Sequence, residues 1–186
     1  MEFFDIYNQD GSPAGYTASR DDAHRLGLWH RTVHVWIRNG HGELLLQKRS
    51  LTKDVYPGYW DISCAGHIDA GESPETAALR ELSEELGVQK NERELVYLFT
   101  VQQLYDSVNP YICDREHTSV FLIKSDLPLD TYRGGNDEVT DVIFVKPEDL
   151  TNGSLSMLAD HSDEYTKLQQ YLGYTPPKSP AGGLEE

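Results

Sequence analysis

Between Gly66 and Val88 the chain reads GHIDAGESPETAALRELSEELGV, and Glu72, Arg80, Glu81, Glu84 and Glu85 are the side chains there with chemistry to offer. The carboxylates of Glu81, Glu84 and Glu85 repel one another on a single helical face, so their common use is to surround a cation. Hard oxygen ligands select magnesium, with manganese as the alternative, and either ion can bridge substrate phosphates. Arg80 lies one turn before Glu84, close enough to pair with it and hold its carboxylate in one orientation. These side chains need a helix to present them, and the signals for one are in place. Ser73 can act as N-cap, Pro74 fits the first helical position, Glu75 suits the positive end of the dipole, and Gly87 is a left-handed stop. At roughly 100° per residue, Leu79, Leu82 and Leu86 share one stripe, and the three glutamates fall on the opposite side with Ala77 and Ala78 beside them. An ordinary solvated face is the competing explanation for a Glu-rich helix. The glycine loop before the helix, the spacing from Gly66 and the Arg80 partner favour the cation site.

A second group is basic. Lys48, Arg49 and Lys53 stand between a strand and the acidic helix, where they can receive phosphate oxygens; a solvated strand end is the alternative. Tyr56, Tyr59 and Trp60 read as a turn with aromatic packing, and Phe99, Tyr105 and Tyr111 as strand residues whose packing role competes with stacking on a base.

The elements that must position these groups follow from alternation and turn residues. Phe3–Tyr7 and Gly15–Arg20 read as a short strand pair around NQDG, and DDAHRLGL shows little periodicity. Thr32–Ile37 and Leu44–Gln47, joined by NGHGE, read as a hairpin that forms the first strand pair of the core. Further strands are expected at Asp61–Ala65, Glu94–Leu104, Thr118–Ile123 and Val139–Val145, and loops at Ser107–Arg115 and Thr131–Glu138. Pro147–Leu150 starts a short helix and Ser162–Leu172 forms the last one. The pattern predicts mixed α/β layers around one core. An N-terminal extension covers residues 1–28, the domain proper 29–172, and a Pro- and Gly-rich flexible tail 173–186.

Composition sets outer limits. A chain of 186 residues suffices for one domain without staples, and Cys64 and Cys113 have neither the number nor the spacing of a disulfide framework or zinc site, which points to a reducing cytoplasm. No apolar run approaches membrane-spanning length. A net charge of -15 argues against binding long nucleic acid through a general surface field, so a phosphate substrate must be recruited locally. The N-terminal extension is a candidate contact for a homodimer.

The stretch from Gly66 to Val88 resembles the Nudix box at every fixed position: Gly66, Glu72, Arg80-Glu81, Glu84-Glu85 and Gly87-Val88. That resemblance to the Nudix hydrolases, including MutT-like enzymes, implies an α/β/α sandwich with a mixed sheet and the box as a loop-helix-loop. It also implies Mg²⁺-dependent hydrolysis of a diphosphate linkage in a small nucleotide-like or other organic substrate. Glu81, Glu84 and Glu85 are the implied metal ligands, Glu84 and Arg80 the implied catalytic box residues. Family members draw the general base from various places; Glu116 and Glu138 are the distal candidates, with Glu116 favoured because a strand start holds it more firmly.

The flanks resemble the isopentenyl-diphosphate isomerase branch, in His30, ELLLQKRS, YPGYWDIS, Gly66-His67, Asp114-Arg115-Glu116 and NDEVTD at 136–141. That likeness implies a second divalent metal at His30, His67, Asp114 and Glu116, with His24 near the place of a further ligand. Isomerase chemistry is the alternative function, but its cysteine position is Ala65 here and Cys64 sits one place earlier, so isomerisation would need a register shift or bulge to bring Cys64 round.

Overall fold

The structure, a computed structural model, describes residues 2–53, 55–108, 111–133 and 137–174. In chain order its elements are β1 (Phe3–Tyr7), β2 (Pro13–Ser19), α1 (Arg20–Leu26), β3 (His30–Arg38), β4 (Leu44–Arg49), β5 (Trp60–Asp61), β6 (Cys64–His67), α2 (Pro74–Leu86), β7 (Val96–Val108), β8 (Tyr111–Lys124), β9 (Val139–Val145) and α3 (Ser162–Tyr171). Short 3-10 turns lie at Glu92–Glu94, Leu129–Arg133 and Pro147–Leu150.

β3 is the strand on which the molecule is built, because its alternation serves two cores. Val33, Val35 and Ile37 face α2, whose Ala77, Ala78, Leu82 and Leu86 pack on them with Leu45, Cys64 and Phe121. Trp36 faces the other way, toward Tyr165 and Leu168 of α3, together with Leu44, Leu46, Val120 and Leu122. Each fully buried leucine contributes about 1.5–3 kcal/mol, and the two alanines let the α2 backbone approach the sheet. The result is the expected α/β/α sandwich. β3 runs parallel to β8 in an unbroken register from His30↔Glu116 to Arg38↔Lys124, and antiparallel to β6 from Thr32↔His67 to Val35↔Cys64.

Three local expectations are corrected. The β3–β4 hairpin pairs only at Arg38↔Leu44; β4 then turns to β9 and β5, leaving β3 to β6 and β8. The segment Ser107–Arg115 is not a loop but mostly strand, since β7 and β8 form one long hairpin in which the polar Asp106 and Arg115 pair at 2.8 Å. Within it, residues 109–110 lie outside the described residues. DDAHRLGL holds α1, which Ser19 caps through the Asp22 backbone N–H and Gly27 ends at φ 64°. Seven residues are too few for a visible period, so the caps were the legible signal. The α3 expectation is met to within a residue.

Residues 2–28 form a unit with its own small core of Phe4, Ile6 and Ala23. It docks on the sheet and the box loop through Tyr7 N to Trp29 O at 2.8 Å, Ala70 N to Phe3 O at 2.8 Å and Gly71 N to Asp5 Oδ2 at 2.9 Å. The expected tail lies, from residue 175 on, outside the described residues. Among the described residues no helix is long and apolar enough to cross a membrane.

Candidate active site

α2 presents the box acids in an arc that runs from the core to solvent. Glu85 is only 2% exposed and accepts hydrogen bonds from Gln47 Nε2 at 3.0 Å and Ala65 N at 3.2 Å. Two helical turns after the buried Ala78 and on the same side of the helix, it sits nearer the apolar stripe than a face opposite the leucines would place it. Glu81 lies over Gly66, where a Cβ would stand 2.1 Å from its Cδ, so the first glycine of the box exists to admit this carboxylate. Glu84 is the exposed member, with 54% of its side chain accessible. Burial is the largest influence on Glu81, pushed up to about 7, and on Glu85, also raised. A divalent cation is the natural compensation for such desolvated carboxylates.

Arg80 makes the expected pairing with Glu84 and does more besides. It donates to Glu72 at 3.0 and 3.2 Å, to Glu81 at 2.7 Å and to the His67 carbonyl at 2.9 Å, and reaches Glu84 only at 3.4 Å. A guanidinium makes several bonds in a plane, and the half-buried partners across the loop offer stronger ones than a solvated i,i+4 neighbour. Arg80 thus ties the box loop to the helix and orients Glu81.

A second group of ligands gathers on the neighbouring strands. His30 begins β3, His67 ends β6, and Asp114 and Glu116 lie on β8; the registers of β3 with β6 and with β8 bring them together. His30 Nε2 is 3.6 Å from Asp114 and 3.9 Å from Glu116, and His67 Nε2 is 3.7 Å from Glu116. His24 arrives from α1, 3.2 Å from His67 and 3.8 Å from Asp114. His30 Nδ1 lies 2.9 Å from the Leu28 carbonyl, which can only accept, so Nδ1 carries the proton and the Nε2 lone pair faces the cluster. His30 Nε2 and Asp114 Oδ1 are buried with no hydrogen-bond partner among the described residues. Orphaned atoms of this kind, two types of donor and a fixed tautomer fit a divalent transition metal. Burial pulls His30 down to about 4 and His67 well down, keeping both rings in the neutral, ligating form. Phe4 of the N-terminal unit stacks on both, its centroid 4.9 Å from His30 and 4.7 Å from His67.

Both groups open onto one cavity of about 380 Å³. Of the basic residues, Arg49 lines it, held by Asp61 at 3.0 Å and the Val55 carbonyl at 2.9 Å, and Lys53 lines it while paired with Glu138. Lys48 does not line the cavity; its ammonium sits 5.6 Å from the centre of the Trp60 ring. Glu116 receives Thr32 Oγ1 at 3.2 Å. Tyr105 lines the cavity with Tyr56, their rings 5.5 Å apart, whereas Tyr111 is exposed and Phe99 packs in the α3 core.

Several cavity groups carried no sequence signal: Arg20, Asp61 and His161, and His34 with its buried partner Glu164. His34 alone was within reach, through the alternation Thr32-His34-Trp36, but nothing marked the face as a cavity rather than a core.

The register shift or bulge that the isomerase alternative requires is not present in β6. His34↔Ala65 and Val35↔Cys64 pair without a bulge, so Ala65 shares the cavity face with His34 and Cys64 points into the α2 core, fully buried. Burial raises the Cys64 thiol well above its ordinary value.

Comparisons with known proteins agree with this construction. A family model described as NUDIX domain matches residues 28–185. The chain is 39% identical over 156 residues to Nudix hydrolase 3 of Arabidopsis thaliana, an alignment covering 81% of this chain but 20% of that longer protein. It is 33% identical over 152 residues to an uncharacterized Nudix hydrolase of Clostridium acetobutylicum, covering 80% and 72% of the two chains. A match to an isopentenyl-diphosphate Delta-isomerase of Photorhabdus laumondii, 40% identical, spans 86 residues, 46% of this chain and 47% of that one. A crystal structure from Deinococcus radiodurans superposes with a TM-score of 0.68 at 23% identity, over 89% of this chain and 98% of that one, and shows the shared fold. With box, sandwich and family model in agreement, the chain belongs to the NUDIX domain family of the Nudix hydrolases.

Proposed function

We propose that this protein is a divalent-cation-dependent hydrolase that cleaves a diphosphate linkage in a small organic diphosphate, nucleotide-like substrates foremost. The observation that carries the reading is the adjacency of two ligand sets across one dipeptide. Gly66 lies under Glu81, and the next residue, His67, reaches Glu116, so both sets face the same cavity. Glu81, Glu84 and Glu85 would hold Mg²⁺ or Mn²⁺, and His30, His67, Asp114 and Glu116, with His24, a second divalent metal. Cations at these places supply neutralisation of phosphate oxygens and acidification of a water molecule.

The protein's own groups do the rest. Arg49 and Lys53 offer donors to phosphate oxygens at the cavity wall; Lys48, lying over Trp60, is left as a weaker candidate. Arg80 positions Glu81 and Glu72. Glu84, the most accessible box acid, can reach a water directly. Glu116 is the better-held distal carboxylate and serves as ligand or as proton acceptor, whereas Glu138 is engaged by Lys53.

The test is a screen of a diphosphate library with Mg²⁺ and with EDTA, products identified by mass spectrometry, on the wild-type protein and Glu85→Gln. Cation-dependent cleavage that drops by two orders of magnitude or more in the variant is expected, roughly the cost of losing a ligand that orients the metal. Near-normal turnover in Glu85→Gln sinks the assignment.

A further inference from the structure

One part of the cavity belongs to neither ligand set. On its wall, beyond Ala65, two carboxylate–imidazole pairs lie side by side. His34 Nδ1 donates to Glu164 at 2.7 Å, and Glu164, fully buried, also accepts from Trp36 Nε1 at 2.8 Å and Gln103 Nε2 at 3.3 Å. His161 Nε2 lies 3.0 Å from Asp61, which is held in turn by Arg49 and the Ile62 backbone N–H. The two rings meet edge-on with centroids 5.2 Å apart.

Each pair fixes one ring nitrogen and frees the other. With Nδ1 donating to Glu164, His34 Nε2 is left with no hydrogen-bond partner among the described residues. His161 Nδ1 is buried and also unpartnered. Burial, the largest influence, pulls His161 down, but Asp61 beside it outweighs burial and leaves the ring above the ordinary histidine value. The wall therefore offers two ring nitrogens that the carboxylates leave unengaged. Nitrogens of the two rings and an oxygen of Glu164 lie within 4.8 Å of one another. One oxygen atom making hydrogen bonds of about 2.8 Å to both rings spans up to roughly 5.6 Å, and ring centroids 5.2 Å apart bring the two imidazoles within the reach of a single hydroxyl. A metal ion fits less well, since the Glu164 oxygens are already occupied by N–H donors. A hydrocarbon would leave the second ring nitrogens of His34 and His161 desolvated without partners, which is costly.

We propose that His34 and His161 form a hydroxyl-binding subsite that selects diphosphates whose attached group is a polyol of the sugar class, over those carrying a hydrocarbon. The proposal deepens the hydrolase reading, on which it rests for the place of the diphosphate.

The experiment uses nucleoside diphosphate sugars, each paired with its singly deoxygenated analogues, together with isopentenyl and geranyl diphosphate. kcat/KM is measured with Mg²⁺, and binding is read by calorimetry with Ca²⁺ in its place, so that selectivity is recorded even where nothing is cleaved. In the wild-type protein the loss of one particular hydroxyl lowers kcat/KM and affinity by roughly 10–100-fold, as expected where buried polar groups lose their partner. In His161→Phe, which leaves Asp61 with Arg49 and the Ile62 N–H, that penalty falls below threefold; His34→Gln gives the same collapse if the first variant fails to fold. Equal binding of every deoxygenated analogue, or tighter binding of the prenyl diphosphates, overturns the subsite. Loss of one equivalent of bound Zn²⁺ in His161→Phe also overturns it, in favour of a metal. Selective binding without any cation-dependent cleavage upholds the subsite and overturns the hydrolase reading instead.

Discussion

Gly66→Ala is a one-carbon change that separates position from chemistry in the box. The added Cβ would lie 2.1 Å from Glu81 Cδ, 2.2 Å from Oε1 and 2.6 Å from Cγ. Contacts under 3.0 Å are essentially never seen, so the Glu81 carboxylate must retreat by about 0.9 Å or more, the difference between 3.0 and 2.1 Å. No positive φ is at stake at this glycine, and the whole effect is steric. Retreat breaks the 2.7 Å bond from Arg80 and withdraws one of the three box carboxylates. A misplacement near 1 Å in a catalytic array costs on the order of 100-fold in rate. Stability should suffer less, by about 1 kcal/mol, since Glu81 lies at the cavity edge and can swing into it. The assay is Mg²⁺-dependent kcat/KM on the best substrate of the library, alongside urea denaturation. Activity within threefold of wild type refutes the claim that Gly66 exists to seat Glu81, and a loss of activity matched by gross unfolding refutes the steric partition.

Three further outcomes are expected. Glu164→Gln places an NH₂ among the donors of His34, Trp36 and Gln103 and should cost about 3 kcal/mol, a fall in Tm of roughly 6–12 °C for a chain of this size; a shift under 2 °C in calorimetry contradicts the buried network. The Asp61–His161 pair should shape stability against pH: Asp61, which His161 and Arg49 hold well below the carboxylate range despite burial, stabilises above its unfolded pKa of about 3.9 and loses this in acid. His161, raised, stabilises in full below about 6.5 and loses this as pH climbs through its folded value, so Tm should decline as pH rises above about 6.5 more steeply in the wild-type protein than in Asp61→Asn; parallel curves disprove the coupling. Ala65→Cys should add a thiol that a disulfide reagent labels in the native state at least tenfold faster than Cys64, and equal rates would mean that the strand register is wrong.

The box and its helix were legible because they depend on neighbours in sequence, whereas the sandwich was legible through the family resemblance. Ser73, Pro74 and Gly87 set the limits of α2, and the spacing of leucines chose its packed face. The ligand set around His67 was legible only through family likeness, since a histidine shows by itself neither burial nor a partner. What escaped were contacts across long loops: His34 with Glu164 lies 130 residues apart, His161 with Asp61 100, and His24 comes from a unit outside the family match.

The sequence by itself determined which side chains could bind a cation and which helix would carry them, because propensity, capping and period act within a few residues. Only the tertiary structure decided that Arg80 holds Glu72 and Glu81 more closely than Glu84, that Glu85 is buried, that Ala65 instead of Cys64 faces the cavity, and that two imidazoles stand ready beside it. Those outcomes turn on strand register and on which buried polar groups find partners, and neither is set until the sheet closes.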